Sequence, residues 1–311
     1  ITHSRKYHTY VYLYYLTRFP ERKIRFYNSG IAGDSAGGAV SRFDWDIKPV
    51  HCNVATIMLG MNDISRGLYG KDNPTEQDLA NRQRALDSHH ANMIKLVELL
   101  KADTNPELIL ITPSIYDDTA DIPTPNLFGC NAALGVCGGY ARELAAANGG
   151  SVVDFHDAMT EINLAQQKVD PKFTLVGPDR VHPGDPGMMV MAWLFLKQQG
   201  VPSEVSTVVI DAPGAKVVTA SNAAVSDLVK TAAGVKFTVA ERCLPMPIEP
   251  SAKPALDWAP IIEALDRATL TVSGLAPGTY ALSIGGQKVR EYDAATLAAG
   301  INLATCETTP Q

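Results

Sequence analysis

The sequence has no uninterrupted apolar segment long enough to cross a bilayer, which takes about 20 residues. Its first residues are polar and aromatic, unlike a secretory signal, although a signal removed during export would leave the same picture. It also lacks an excess of basic residues, because 27 Lys and Arg stand against 33 Asp and Glu, for a net charge of −6. This balance offers no basic face to a phosphate backbone. We therefore expect neither a transmembrane segment nor a nucleic-acid partner.

Cysteine is scarce, with five in 311 residues, and no pair has the Cys-x-x-Cys spacing of a structural zinc site. The histidines outside the candidate site also lack a partner at metal-ligand spacing, so we expect no bound metal. Cys130 and Cys137 leave two interpretations open. They either close a small disulfide loop in an oxidising compartment or are ordinary buried thiols.

The first 200 residues alternate between short apolar runs and longer helical patterns. Short apolar or alternating runs bounded by turn residues predict strands, and apolar residues at intervals of three and four predict helices. The predicted strands are 24–28, 54–59, 108–112 and 151–154, and the predicted helices are 7–19, 76–101, 140–147 and 186–199. Strands that alternate with helices predict an α/β fold, with a parallel sheet covered on both faces. The irregular stretch 116–138 is expected to be a loop over the edge of that sheet.

The pattern changes after residue 201. From Val205 onward, short alternating strands such as 270–272 and 280–284 are joined by turns that contain glycine and proline. The stretch 243–260 holds five prolines and is expected to be irregular surface or linker. We therefore predict an α/β domain over residues 1–200 and a smaller, β-rich α+β region over residues 201–311.

Acyl-transfer chemistry is indicated near the end of the α/β region, where Asp179 stands three residues before His182. A carboxylate at this spacing can orient an imidazole and balance its charge, as a general base in acyl transfer requires. Gly33 and Asn62 follow predicted strands, so they are expected at the same edge of the sheet. A backbone N–H at a glycine and an asparagine amide suit a developing oxyanion.

Three segments resemble the sequence blocks of the SGNH (GDSL-type) hydrolase superfamily of esterases and acylhydrolases. Residues 28–34 (Asn-Ser-Gly-Ile-Ala-Gly-Asp) are similar to its glycine block, and residues 60–63 (Gly-Met-Asn-Asp) to its asparagine block. Residues 179–183 (Asp-Arg-Val-His-Pro) are similar to its Asp-x-x-His block. The resemblance covers residues 1–200 in the family's order. It implies a three-layer, flavodoxin-like SGNH-hydrolase sandwich with a parallel sheet.

The same resemblance assigns roles to four residues. It implies that the Gly33 N–H and the Asn62 side chain are oxyanion donors, that His182 is the general base and that Asp179 orients it. The block that carries the family's nucleophilic serine, Gly-Asp-Ser, does not precede the first helix. Because the sequence from Ile1 is similar to the residues that follow that serine, the nucleophile is expected immediately before Ile1, and the first strand of the sheet is likewise expected to precede Ile1.

Two serines in the sequence are weaker alternatives for the nucleophile. Ser35 completes a Gly-Asp-Ser tripeptide, but it belongs to the glycine block, and we expect its hydroxyl to cap the following turn or helix. Ser4 lacks the Gly-Asp context.

Several residues near the blocks have expected supporting roles. His3 follows the expected serine and is predicted at the mouth of the site. Arg66 and Tyr69, just beyond the asparagine block, are candidates for the acyl or alcohol pocket. Asp63 is expected to fix its loop by hydrogen bonds. His89 and His90 lie in the middle of a predicted helix, so at least one of them is expected to be exposed.

We expect a serine esterase that works through an acyl-enzyme on small acyl groups, without a metal or an organic cofactor. By analogy with the family, and because no long apolar lid is visible, the preferred substrate is an O-acyl ester such as O-acetyl on a carbohydrate. A lysophospholipid or a thioester is the alternative substrate. Because β-rich regions accompany many secreted relatives that act on polysaccharides, the resemblance implies a secreted or periplasmic location. The rival hypothesis is a non-catalytic SGNH-like module that binds glycans or builds an assembly.

Overall fold

A computed structural model describes residues 1–306 and residue 309, and the end of the predicted C-terminal region lies outside these described residues. The chain forms two compact units. Unit one comprises Ile1–Val11, Arg25–Gly200 and Glu249–Ala259, and unit two comprises Tyr12–Ile24, Val201–Ile248 and Pro260–Gln311. Within the part of the chain that the structure describes, no helix combines the length and apolarity needed to span a membrane.

Unit one contains a parallel sheet of three strands in the order β1-β2-β3. The strands are β1 (Val54–Ile57), β2 (Glu107–Ile111) and β3 (Ser151–Val153). The helices are α1 (Lys6–Arg18), whose residues after Val11 belong to unit two, α2 (Ala36–Ser41), α3 (Glu76–Asp103), α4 (Cys130–Asn148), α5 (His156–Gln167) and α6 (Asp185–Gln198). Parallel strands separated by helices confirm the predicted α/β class.

Helix α3 shows how the sequence forms these elements. Thr75 and Asp78 make a capping box, because the Thr75 hydroxyl accepts the Asp78 N–H and the Asp78 carboxylate accepts the Thr75 N–H. The buried residues of the helix recur every three or four positions, as one face of a helix requires. They are Leu86, His89, Met93, Leu96, Val97 and Leu100. From Met93 onward this face packs with Leu108 and Leu110 of β2 in the main core of unit one.

The prediction of a strand over residues 24–28 is wrong. These residues have no strand partner, and Tyr27 is 57% exposed. Alternation of side chains favours extended backbone, but only a ladder of hydrogen bonds to a neighbouring chain makes a strand. Among the described residues, no segment provides that ladder.

The last nine residues of the loop predicted over residues 116–138 are helical, because α4 begins at Cys130 and not near Tyr140. Three glycines, at 135, 138 and 139, lower the helix propensity of this segment, so the sequence does not predict a helix there. Small residues there allow close packing: a Cβ on Gly138 would lie 3.4 Å from the Thr112 side chain. Tertiary packing therefore overrides the local preference.

Cys130 and Cys137 are free, buried thiols, which decides between the two interpretations. They lie two turns apart on the same helix, about 10 Å along its axis, beyond the span of a disulfide. Burial raises the pKa of both thiols to about 12.

Unit two is rich in β-structure, with a four-stranded sheet in the order β11-β8-β4-β5 and two hairpins, β6-β7 and β10-β9. Its strands are β4 (Glu204–Asp211), β5 (Lys216–Ser221), β6 (Ala223–Thr231), β7 (Gly234–Glu241), β8 (Arg267–Ser273), β9 (Thr279–Ile284), β10 (Gln287–Asp293) and β11 (Ile301–Asn302), and its helices are α7 (Ile261–Leu265) and α8 (Ala294–Ala299). The predicted strands 270–272 and 280–284 lie within β8 and β9, which confirms them.

The proline-rich stretch 243–260 is not simply a linker. Residues Pro250–Asp257 form a 3₁₀ helix in which Ala252 and Ala255 are fully buried. Pro250 stands at the start of this helix, where the fixed φ of proline suits a helical turn and no N–H is needed.

A buried ion pair in unit two joins the end of α1 to the start of β8. The Arg18 guanidinium lies 2.8 Å from the Asp266 carboxylate, and both side chains are 2% exposed. Arg18 also donates to the carbonyl oxygens of Glu204 and Leu265. Burial raises the pKa of Asp266 to about 6, although the Met246 N–H and Arg18 act against the increase.

Replacing Arg18 by leucine would leave the Asp266 carboxylate buried without its cation. The free energy of unfolding is expected to fall by about 3 to 5 kcal/mol, measured by urea unfolding of the full-length protein at neutral pH. Lys288→Leu is the control, because it removes a solvent-exposed pair with Glu291 and should have a far smaller effect. Similar losses in the two variants would contradict a structural role for the buried pair.

Candidate active site

The turn that carries Asp179 and His182 brings the two side chains together. The Asp179 Oδ2 lies 2.5 Å from the His182 Nδ1, and Oδ1 accepts the backbone N–H groups of Val181 and His182 at 3.0 and 2.8 Å. Partial burial alone would raise the pKa of Asp179, but the bonds from His182 and Val181 outweigh it and lower that pKa. Asp179 is therefore ionised at neutral pH. Because Nδ1 faces the carboxylate, Nε2 is left for a reacting group.

Helix α6 follows this turn directly. Its N-cap is Gly184 and Pro186 stands in its first turn. The helix is buried continuously from Gly187 to Leu196. A Cβ at Gly187 would lie 2.3 Å from the Leu175 carbonyl oxygen, so only glycine permits this close approach. The turn with His182 is thus attached to a helix that is firmly packed in unit one.

Gly33 and Asn62 lie in two loops that touch. Gly33 has φ +75°, a left-handed conformation that favours glycine, and it is exposed. The Asn62 amide donates to the Asp34 carbonyl oxygen at 2.8 Å. An asparagine amide has two N–H donors, so this bond leaves one for a ligand.

Asp63 also joins these two loops. Its Oδ1 accepts the Ala36 N–H at 2.8 Å and lies 3.2 Å from the His89 Nδ1. These contacts confirm that Asp63 fixes its loop. The expectation of an exposed histidine is wrong, because His89 is 2% exposed and His90 is half-buried. Tyr140 of α4 stacks on His90 with ring centroids 4.1 Å apart, so α4 covers this side of α3.

Both serines considered as alternative nucleophiles are engaged in local bonds. Ser35 is the N-cap of α2, and its hydroxyl accepts the Gly38 N–H at 3.1 Å, which confirms the predicted cap. The Ser4 hydroxyl donates to the Ile1 carbonyl oxygen at 2.7 Å.

The first residues of the chain lie beside the glycine block. The Asn28 amide donates to the Thr2 carbonyl oxygen at 2.7 Å, and the His3 Nδ1 lies 3.1 Å from the Gly30 carbonyl oxygen. A few residues on, Lys6 forms an ion pair with Asp185, which begins α6 just after His182. The chain start therefore lies near both the glycine block and the Asp–His turn.

Arg66 and Tyr69 lie beyond the asparagine loop. Arg66 begins a short 3₁₀ turn, and Tyr69 is buried with the Arg82 guanidinium 4.6 Å from its ring centroid. Neither residue lines the cavity that adjoins Asn62.

That cavity has a volume of about 240 Å³. Apart from Ala85 and Gly37, its lining side chains are polar: Asn62, with Ser35, Asp63, Ser65, Ser88, His89 and Asn92. They come from the asparagine loop and from the facing sides of α2 and α3. Among the described residues, no group of three His, Cys, Asp or Glu side chains could hold a metal ion.

Arg180 is the residue of the Asp–His turn that the sequence does not single out. It is 3% exposed and has φ +66°. An arginine side chain in a turn is normally exposed, so no feature of the sequence predicts its burial. Only the structure shows that Arg180 is buried and has a left-handed backbone conformation.

Comparisons with known proteins identify the family of this site. The model of the GDSL-like lipase/acylhydrolase family matches residues 2–190. The acetylxylan esterase of Geobacillus stearothermophilus is 26% identical over 185 residues, which are 58% of this chain and 75% of that protein. A crystal structure of an acetylxylan esterase from the same organism matches 63% of this chain and 82% of its own at 25% identity, with a TM-score of 0.49.

A second solved structure is similar over nearly the whole chain. It is described as a gut microbial diltiazem-metabolizing enzyme and is 33% identical, with a TM-score of 0.91, over 99% of this chain and 71% of its own. The family match and this similarity confirm the resemblance stated from the sequence blocks. This chain belongs to the GDSL-like lipase/acylhydrolase family, within the SGNH hydrolase superfamily, and is an ester hydrolase.

Proposed function

We propose that this ester hydrolase removes small acyl groups, acetyl above all, from the hydroxyl groups of carbohydrates through an acyl-enzyme. The observation that carries the proposal is the 2.5 Å contact between Asp179 Oδ2 and His182 Nδ1, which leaves Nε2 available as a general base. Membership of an esterase family favours this function over a non-catalytic module that binds glycans.

In the proposed mechanism, the nucleophilic serine stands immediately before Ile1. The support is that Thr2 contacts Asn28 and that Lys6 pairs with Asp185, so this position lies near the glycine block and the Asp–His turn. The His182 Nε2 takes the proton of the serine hydroxyl while the serine oxygen attacks the acyl carbon. Asp179 balances the charge of the imidazolium that forms.

The tetrahedral intermediate places a negative charge on the former carbonyl oxygen. The Gly33 N–H and the free N–H of the Asn62 amide are the donors proposed for it. When the intermediate collapses, His182 returns its proton to the leaving alcohol, and the acyl group stays on the serine. A water molecule, deprotonated by the same imidazole, then releases the carboxylic acid.

The polar cavity beside Asn62 supports a hydroxylated alcohol as the leaving group. Besides Asn62 itself, four hydroxyl or amide side chains line it: Ser35, Ser65, Ser88 and Asn92. They suit the hydroxyl groups of a sugar, whereas the acyl chain of a lysophospholipid would require an apolar lining. The 26% identical relative is named an acetylxylan esterase, in agreement with this class of substrate. A secreted or periplasmic location would follow from a polysaccharide substrate.

Diltiazem is a second candidate substrate. The 33% identity to a gut microbial diltiazem-metabolizing enzyme over 99% of this chain favours it. Hydrolysis of diltiazem should therefore be measured alongside hydrolysis of acetylated xylo-oligosaccharides.

His182→Ala in the full-length protein is expected to lower hydrolysis of p-nitrophenyl acetate severely, because the His182 imidazole is the proposed acceptor of the serine proton. The loss expected for a missing general base is about 10²- to 10⁴-fold in kcat. Initial rates at saturating ester and a circular dichroism spectrum measure activity and fold. His90→Ala, on α3 and stacked on Tyr140, is the control. Near-normal turnover by His182→Ala would refute the assignment.

Asn92→Leu should make the cavity apolar where it is now polar. The KM for acetylated xylo-oligosaccharides is expected to rise about tenfold, the effect of losing one good polar contact, while kcat/KM for p-nitrophenyl acetate stays within about twofold. Asn81→Leu, on the same helix but outside the cavity lining, is the matched control. Equal effects on the two esters would contradict a sugar-binding role for this cavity.

A further inference from the structure

Arg180 lies between two side chains that the solvent reaches. The side chains of Asp179 and His182 are 52% and 61% exposed, so little packing holds them in place, and an exposed ion pair alone fixes geometry weakly. Arg180 is 3% exposed. The orientation of the Asp179–His182 pair therefore depends on the backbone of the turn. Arg180 is the buried residue of that turn next to Asp179.

The Arg180 guanidinium is surrounded by backbone carbonyl groups of one segment, residues 117–124. Its Nη1 donates to the carbonyl oxygens of Asp117 and Ala120 at 2.9 and 3.2 Å, its Nη2 to that of Ile122 at 3.1 Å, and its Nε to that of Thr124 at 3.0 Å. These four acceptors match the fixed directions of a planar guanidinium.

The backbone of the turn is bonded to the same segment. The Asp117 N–H donates to the Arg180 carbonyl oxygen at 3.0 Å, and the Thr124 hydroxyl donates to the Pro178 carbonyl oxygen at 2.5 Å. The Arg180 N–H closes the turn on the Gly177 carbonyl oxygen at 3.1 Å. The turn is therefore held to residues 117–124 on both sides of Asp179.

The segment is itself folded around a carboxylate. The Asp117 Oδ1 accepts the N–H groups of Thr119 and Ala120, both at 3.0 Å. These bonds curve the segment so that its carbonyl groups converge on one point. The guanidinium occupies that point and satisfies them.

The backbone of Arg180 has φ +66°, a left-handed conformation that residues with a Cβ rarely adopt. Glycine would adopt it without strain. An arginine at this position indicates that its side-chain contacts stabilise a conformation its own backbone disfavours. That conformation directs the next two N–H groups at the Asp179 carboxylate.

We propose that Arg180 is a positioning residue for the reaction. By binding residues 117–124 it holds the turn in the conformation in which Asp179 accepts the N–H groups of Val181 and His182 and contacts the imidazole. It touches neither substrate nor nucleophile and acts through His182. This inference rests on the proposed role of His182 as general base.

Two variants test the proposal in the full-length protein. Arg180→Gly permits the left-handed backbone but removes the guanidinium, and Arg180→Lys keeps a charge that cannot reach four carbonyl groups. In Arg180→Gly, kcat for p-nitrophenyl acetate is expected to fall about 10²-fold, the effect of displacing a reacting group by about 1 Å, with KM within about twofold. Arg180→Lys should retain more of kcat.

A second readout does not depend on turnover. Long-range ¹H–¹⁵N NMR spectra of the His182 imidazole report which ring nitrogen carries the proton in the neutral form. The wild-type protein is expected to show the Nδ1–H tautomer, held by Asp179, and the Arg180 variants a mixture of the two tautomers. If Arg180→Gly does not fold, Arg180→Lys decides by the same measurement.

Arg18→Lys in unit two is the matched control, because Arg18 is also buried and donates to backbone carbonyl groups. It should lower the thermal stability without changing kcat or the tautomer of His182. If the Arg180 variants behave in the same way as this control, Arg180 is only a structural residue and the proposal is wrong. Activity retained by His182→Ala would instead refute the proposed function, so the two failures are distinguishable.

Discussion

The contact between Asp179 and His182 is the interaction on which the site depends. It leaves the imidazole with one free nitrogen, and the same carboxylate accepts two backbone N–H groups of its own turn. Three donors converge on one carboxylate, so the pair stays ordered although it is exposed to solvent. The proposed chemistry requires that order, because a base that rotates freely rarely meets the proton that it must remove.

The remaining parts of the site are joined to one another by short polar contacts. Asn62 donates to the carbonyl oxygen next to Gly33, and Asp63 bonds the first N–H of α2 while it approaches His89. The two loops proposed to bind the oxyanion are therefore fixed as a pair. Their spacing is set before any substrate arrives, which is how preorganised donors stabilise a transition state.

The sequence predicts the features that depend on local spacing. The Asp–His interval, the Ser35 cap and the buried strand β2 follow from residues close together in the chain. It does not predict features that depend on distant partners. Residues 24–28 alternate but lack a neighbouring strand among the described residues, and α4 begins at Cys130 despite its glycines. Arg180 is buried because four carbonyl groups, 56 to 63 residues earlier in the chain, accept its donors.

A crystal structure of the full-length protein inhibited by a serine-directed phosphonate would test the central claim most directly. We predict the adduct on a serine immediately before Ile1, with the phosphonyl oxygen about 2.7 to 3.1 Å from the Gly33 nitrogen and the Asn62 Nδ2. The His182 Nε2 should lie within hydrogen-bond distance of the adduct. An adduct on Ser35 or Ser4, or a phosphonyl oxygen bound by other donors, would contradict the account.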